Sequence, residues 1–271
     1  MQEVKISVIM GVLNPNNEEQ FYQAVNSILK QTFCDLEFII YNDGSDESYE
    51  EIFNKICKSD KRIIYLKSKN NCGLAHALNQ CIKVAKGKYL ARMDADDVAL
   101  PDRLSRLYYF LEEHPEYQWV GSNASLINEQ GAWGSEKVPE LPVSTDFLQY
   151  SPYIHPAVMF RREVLLAIGG YNYAEVTKRC EDYELFMRLH CQGYRGYNIQ
   201  EELLLYREDV KAYKKRKYTY CIREMSVRYA GFKKLGILKM KTLPYVVKPL
   251  IVGFIPAKLH IYIKQGMNQY E

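Results

Sequence analysis

The sequence predicts an α/β fold in which a parallel sheet gives way to a mixed one, followed by a helical C-terminal extension. Three observations lead there. Short apolar runs alternate with patterns of helical period as far as Leu111, the alternation turns irregular and rich in Gly and Pro between 117 and 160, and the charge balance reverses beyond residue 209. A chain of 271 residues, 47% hydrophobic and 25% charged, has enough apolar surface for one large core. The reading divides it into a domain over 1–209 and an extension over 210–271.

In chain order, Val4 to Met10, Leu36 to Tyr41, Arg62 to Leu66 and Lys88 to Met93 are apolar runs of strand length. Between them, Phe21, Val25, Ile28 and Leu29 recur at helical spacing. So do Tyr49, Ile52, Phe53 and Ile56, and then Leu74, Ala77, Leu78, Cys81, Ile82 and Ala85. Strands separated by helices imply right-handed crossovers and parallel pairing, which line up the strand ends and their loops along one edge. Open α/β sheets bind ligands at that edge. Pro101 suits a first helical turn, and Leu104, Leu107, Phe110 and Leu111 mark a helix ending near His114-Pro115. Trp119 to Gly121, Ser125 to Asn128 and Ala157 to Phe160 are strand-like pieces of a mixed sheet. Cys180-Glu-Asp-Tyr183 then opens a helix whose apolar stripe is Leu185, Phe186 and Leu189.

Met1-Gln-Glu-Val-Lys5 runs straight into the first strand without a basic and apolar leader, so a cytoplasmic protein is expected. Seven cysteines form no CxxC pair, and their odd number does not suit a full disulfide framework. The net charge of +3 conceals an asymmetry. Residues 1–209 hold 22 Lys/Arg against 31 Asp/Glu, whereas 210–271 hold 14 against 2. The extension is therefore a candidate contact for something anionic.

Three loops carry chemistry at the predicted edge. Asp94-Ala-Asp-Asp97 follows the fourth strand, and carboxylates one residue apart can share a hard cation with a substrate's phosphates. A calcium EF-hand loop does not fit, since Ala99 stands where that loop needs glycine and Ser105 where it needs glutamate. In Tyr41-Asn-Asp-Gly-Ser-Asp46, Asp43 can accept hydrogen bonds from a base or ribose, and Gly44 allows a tight turn. In Asn71-Cys-Gly-Leu-Ala-His-Ala-Leu-Asn79, Asn71 and Gly73 start a helix whose amides suit a phosphate. Taken singly, each loop also reads as a solvated turn or a plain helix cap.

Ile6-Ser-Val-Ile-Met-Gly-Val-Leu-Asn14, the Asn42-Asp-Gly-Ser45 loop, the Asn71 to Asn79 segment and Ala91-Arg-Met-Asp-Ala-Asp-Asp97 resemble, in order and spacing, the family 2 glycosyltransferases of GT-A fold. Ile154-His-Pro-Ala-Val-Met-Phe-Arg161, Gly169-Gly-Tyr171 and Glu181-Asp-Tyr-Glu-Leu185 are similar to the acceptor-side motifs of bacterial members that build capsules, lipopolysaccharide and exopolysaccharide. The resemblance runs from residue 4 to residue 207. It implies a Rossmann-like nucleotide-binding half and a mixed sheet flanked by helices. The implied activity is inverting, metal-dependent transfer from a nucleotide-diphosphate sugar, in the first instance a UDP-sugar, to a glycan or lipid-linked acceptor. Carried over to this chain, Asp43 reads uracil or ribose, with Val12, Leu13 and Asn14 lining the base. Asn71, Gly73, Arg92 and Ala95 join the donor side, and Asp94 approaches ribose and sugar. Asp96, with Asp94, ligates Mn2+ or Mg2+. Asp182 is the general base with Glu181 as its alternative. From the residues themselves, Asp97 is expected to help cap the helix near Pro101, His155 before Pro156 to contact acceptor or phosphate, ligate the metal or close a turn, and Arg161 and Arg162 to hold phosphate unless one of them only flanks the strand end. Three positions depart from the family's habit: Asn42, where Asp is common, Gly11, where Pro is common, and Leu78, where Arg is common.

Two rival functions share these features. A sugar nucleotidyltransferase would use the same sheet, but no glycine- and lysine-rich loop follows the first strand, and the Glu181-Asp182 pair would have no task. An inactive sugar-binding protein would not need the metal and base residues. In the extension, Lys211, Lys214, Lys215, Arg216 and Lys217 alternate with tyrosines, a mixture that nucleic-acid binders also use. The apolar stretch from Leu243 to Ala257, followed by Lys258, His260 and Lys264, favours an anionic membrane surface over nucleic acid, with the segment lying among headgroups. Its prolines and lysines make a poor 20-residue span. The alternative is that Leu250 to Phe254 packs on the catalytic domain or on a second copy in a homodimer.

Overall fold

The computed structural model describes residues 4–15, 17–208 and 217–254. Strand β1 (Ile6–Val12), helix α1 (Glu18–Leu29), β2 (Leu36–Asn42), α2 (Glu50–Ser59), β3 (Ile63–Lys67), α3 (Leu74–Val84) and β4 (Tyr89–Arg92) alternate as the sequence predicts. The strands pair in parallel in the order β3-β2-β1-β4. Residues on successive positions of a strand face opposite sides, and both sides are covered here. Ile6, Val8 and Met10 pack with Phe21 and Ile28 of α1 and Phe53 of α2, while Ile9 packs with Ala77 and Leu78 of α3. This two-sided burial is why β1 and β2 read as mainly apolar runs, broken by Ser7 and Glu37, whose side chains hydrogen-bond each other at 2.6 Å.

The second half is β5 (Val98–Ala99), α4 (Arg103–Glu113), β6 (Trp119–Asn128), β7 (Gly131–Glu136), β8 (Met159–Arg161), α5 (Arg162–Ala167), α6 (Glu181–Cys191) and β9 (Gly196–Arg207). β8 pairs antiparallel to both β4 and β6, β9 runs parallel to β6, and β5 pairs antiparallel to the end of β9. The sheet is therefore mixed. Residues 119–128 form one strand, not two pieces, because Ser122 and Asn123 remain inside it. The Asn123 Oδ1 accepts from the Val138 amide at 3.0 Å, and the register with β9 shifts at these two residues. The fourth helix starts at Arg103, two residues after Pro101, and the buried Gln31 accepts the Leu104 amide at 2.9 Å. No disulfide joins any of the seven cysteines.

Helices α7 (Tyr218–Lys234) and α8 (Leu243–Val252) close the described chain. Val227, Phe232 and Val246 join the core that holds Phe186 and Leu189 of α6. Arg228 donates to the carbonyls of Leu148 at 2.9 Å and Tyr245 at 3.3 Å. Lys211, Lys214, Lys215, Arg216, Lys258, His260 and Lys264 lie outside the described residues. No helix among the described residues is long and apolar enough to cross a membrane.

Candidate active site

The loops at the carboxyl ends of β1, β2 and β4 meet along one edge. Asn14, whose φ of 44° is left-handed, joins the first loop to the second: its amide donates to Ser45 Oγ and its Nδ2 to Asp46 Oδ2, both at 2.9 Å. Asp43 is buried and accepts the amides of Cys72 at 3.1 Å and Gly73 at 2.7 Å, so it fastens the second loop to the start of α3. Burial pushes its carboxyl above the usual range, while those amides pull it back. At Gly11, a Cβ would lie 3.0 Å from Ala77 Cβ, which lets α3 press against the end of β1.

Gly44 is required twice over. Its φ is 78°, and a Cβ there would stand 2.5 Å from the Asn70 carbonyl carbon and 2.7 Å from the Asn71 nitrogen. Gly44→Ala is expected to cost about 1–3 kcal/mol of stability. Urea unfolding checks this, and an unchanged midpoint would show that the loop accepts a side chain there without strain.

The acidic turn is held from below by two entirely buried arginines. Arg92 donates to Asp94 Oδ1 at 2.5 Å, and Arg103 donates at 2.6 Å to the carbonyls of both Arg92 and Pro156. Burial brings the Arg103 guanidinium down to about 10. Asp97 does not cap the helix after Pro101. It is buried, its Oδ1 accepts the Arg207 amide at 2.8 Å, and it thereby ties the turn to β9. Its carboxyl is held well above the usual range by burial and then by the charges of Asp94 and Asp96. Asp96 opens into the cleft but is surrounded by protein on its other sides. That burial, and then the charge of Asp94, bring its carboxyl up to about 6.

The cleft has two connected halves. A cavity of about 620 Å³ is lined by Val12, Leu13, Asn14, Asp43, Asn71, Gly73, Asp94, Ala95 and Asp96. A second of about 460 Å³ is lined by Arg92, Asp94, His155, Glu181 and Asp182, and the two share Leu74, Asp94, Arg179 and Glu181. Asp182 stands in the first turn of α6. Its carboxyl is raised to about 6 by burial and then by Glu181, against the pull of the amides of Tyr183 and Asp182 itself. Glu181 is buried, and its Oε2 has no hydrogen-bond partner among the described residues. His155 Nε2 lies 2.8 Å from the Tyr171 hydroxyl. Burial, and then the charge of Arg92, hold its imidazole well below its ordinary value, so it enters the site neutral.

Arg161 is a correction to the sequence reading. β8 runs antiparallel to β4 and sets Arg161 opposite Tyr89, at the end of the sheet away from the acidic turn. Its guanidinium donates to the carbonyls of Tyr117 at 2.8 Å and Leu111 at 2.6 Å, securing the end of α4. Arg162 opens α5 behind it and does not line the cleft. Among the described residues, Lys178 and Arg179 line the first half of the cleft, and Arg92 and Arg179 line the second. Arg179 holds a left-handed φ of 71° and lies 6.0 Å over the Tyr220 ring of α7. Strained non-glycine backbone of this kind gathers at functional sites. The signal of Lys178 and Arg179 in the sequence was two adjacent bases just before Cys180-Glu-Asp182. Tyr220 left none, because it reaches the cleft from a distant helix.

Two donor sets could hold a metal. Among the described residues, Asp43, Cys72 and His76 bring ligand atoms within 4.8 Å of one another, but a thiol and an imidazole suit a softer ion, and Asp43 already accepts two amides. Asp94 and Asp96 fit Mn2+ or Mg2+ better. They are oxygen donors whose mutual repulsion a cation relieves, and a diphosphate can complete the shell.

Comparison with known proteins agrees with this geometry. Residues 7–169 match the model of Glycosyl transferase family 2. EpsE of Bacillus subtilis (strain 168), provisionally named a glycosyltransferase, is 35% identical over 270 residues, covering 98% of this chain and 96% of that protein. The Escherichia coli UDP-Gal:alpha-D-GlcNAc-diphosphoundecaprenol beta-1,3-galactosyltransferase is 26% identical over 271 residues, covering 96% and 94%. Among solved structures, S. aureus TarS 1-349 in complex with UDP-GlcNAc has a TM-score of 0.67 at 17% identity, covering 91% of this chain and 71% of that one. The mannosyltransferase PcManGT from Pyrobaculum calidifontis, in complex with GDP-Man and Mn2+, has a TM-score of 0.62 at 16% identity, covering 98% and 81%.

Proposed function

Because the chain belongs to glycosyl transferase family 2 and has the GT-A fold, we propose that it moves one sugar from a UDP-sugar to a lipid-linked or glycan acceptor with inversion, in the synthesis of a bacterial surface polysaccharide. The observation that carries this reading is the continuity of the cleft. The acidic turn and the Asp43 loop line one half, Asp182 lines the other, and Asp94, Arg179 and Glu181 belong to both.

The nucleoside occupies the half lined by Val12, Leu13 and Asp43, and its diphosphate passes Lys178 and Arg179. Asp96 and Asp94 would hold the divalent cation, which would supply positive charge to offset that of the departing diphosphate. Asp182 takes the proton of the acceptor hydroxyl, the freed oxygen attacks the anomeric carbon from the face opposite the diphosphate, and the bond from that carbon to the phosphate oxygen breaks. Neutral His155, held by the Tyr171 hydroxyl behind it, orients the acceptor without adding charge. Glu181, buried beside Asp182, helps keep the base's proton affinity near the working pH.

A panel of nucleotide sugars, offered with manganese and with or without chelator, tests the reading. Chelator-sensitive hydrolysis of one donor supports it, and equal inertness toward all of them removes it. A nucleotidyltransferase would instead release diphosphate from a nucleoside triphosphate and a sugar phosphate.

The pH profile follows from Asp182. A base that titrates at about 6 is protonated below that value, so kcat/KM should fall about tenfold per pH unit beneath it. Asp96 also titrates at about 6, but a bound cation favours its ionised form. The limb belonging to Asp182 should therefore stay in place as manganese is raised, and a limb that moves wholly with metal concentration would assign it to Asp96.

A further inference from the structure

One helix face of the extension is left bare and apolar. Along α8, Val246 and Pro249 are buried against the body, while Leu243, Val247 and Ile251 face outward, Ile251 with 64% of its surface exposed. Met240 before the helix and Phe254 after it continue the row, at 83% and 75%. Positions 240, 243, 247, 251 and 254 follow one another at steps of three or four, which sets them in a single stripe. Lys239 and Lys241 flank its start, and Lys233 and Lys234 end the neighbouring α7; all four are exposed.

Charge decides what covers this stripe. Residues 217–254 contain eight Lys/Arg and one acid, Glu224, which pairs with Arg228 at 3.0 Å. A ten-residue helix cannot span a bilayer, but an apolar row edged by lysines fits its surface. The apolar side chains enter the acyl boundary and the ammonium groups meet anionic headgroups. The position of α8 gives the contact a purpose. Lys248 Nζ donates to the Gln149 carbonyl at 3.1 Å, and the next residues, Tyr150 and Ser151, line the acceptor half of the cleft.

We propose that this face of α8 docks the protein on an anionic lipid bilayer and sets the acceptor half of the cleft beside it. The docking stands on the exposed face itself; its use in reaching a lipid-linked acceptor rests on the glycosyltransferase reading above.

Flotation of the full chain tests the proposal, with vesicles of phosphatidylcholine alone and of phosphatidylcholine mixed with phosphatidylglycerol. The protein should float with the mixed vesicles at low salt and be released at high salt. Val247→Glu with Ile251→Glu should lower the bound fraction roughly tenfold or more, and Lys239→Glu with Lys241→Glu should shift binding to lower salt. All four positions are exposed and outside the cleft, so thermal unfolding and donor hydrolysis should match the parent. Equal flotation of parent and variants overturns the proposal, as does failure of the parent to float. A dimer formed without vesicles and dissolved by the Val247 and Ile251 changes would give the face to a second copy and overturn it as well. Flotation reads no chemistry. A protein that floats yet transfers no sugar overturns the enzymatic reading alone, and one that glycosylates a soluble acceptor without floating overturns the docking alone.

Discussion

Asp182→Asn is expected to reduce sugar transfer by roughly 10²- to 10⁴-fold, the range spanned by loss of a positioned general base, while affinity for the donor changes little. Asparagine keeps the shape of the side chain at the start of α6 but cannot take a proton from the acceptor hydroxyl. The fold should not suffer. In the folded protein the Asp182 carboxyl titrates at about 6, above its ordinary value, because burial and Glu181 disfavour its charge. At neutral pH the ionised group therefore opposes folding, and an amide relieves that cost, so the variant should melt no lower than the parent. Glu181→Gln serves as the comparison. If it abolishes transfer while Asp182→Asn turns over normally, the base is Glu181 and the assignment of Asp182 is wrong.

Asp96→Asn is expected to lower metal-dependent turnover by roughly 10²- to 10³-fold, the rate equivalent of several kcal/mol of charge stabilisation on a departing diphosphate. Manganese titration in the presence of donor nucleotide should show weakened binding. Asp94→Asn should differ in kind. Asp94 also holds the buried Arg92 guanidinium at 2.5 Å, and removing the carboxylate leaves a buried cation short of its partner, so stability should drop along with turnover. Full manganese-dependent turnover by Asp96→Asn would place the cation elsewhere.

Much of the first half of the fold was legible in the sequence, and for a stated reason. β1, β2 and β4 are covered on both faces, which makes most of their residues apolar, while the intervening helices show their buried stripes at 3.6-residue spacing. β7 and β9 were not legible. Gly131-Ala-Trp-Gly-Ser-Glu136 carries no alternation, and β9 is interrupted by Gln200, Glu201 and Glu202 just where its register with β6 shifts. An irregular strand with a polar middle reads as a loop until its partner is known.

The site divides along similar lines. Asp43, Asp94 and Asp96 sit in short segments whose composition suggests a ligand-binding turn, Asp182 stands out only through the resemblance to the family, and all four line the cleft. Arg161 was misplaced by the same kind of reading, since a motif does not say which way its strand runs. β8 is antiparallel to β4, so His155, before the strand, arrives beside Arg92, whereas Arg161, at its end, is carried to the far edge. Tyr220 and Arg179 meet only because α7 folds back over the cleft.

By itself, then, the sequence determined the alternating elements and the acidic loops, since these depend on residues close together in the chain. Tertiary structure alone decided the joining of two half-clefts through Asp94 and Glu181, the support of the acidic turn by Arg92 and Arg103, and the bare face of α8. Each of these depends on strand direction and on contacts between distant segments, which local composition and periodicity do not encode.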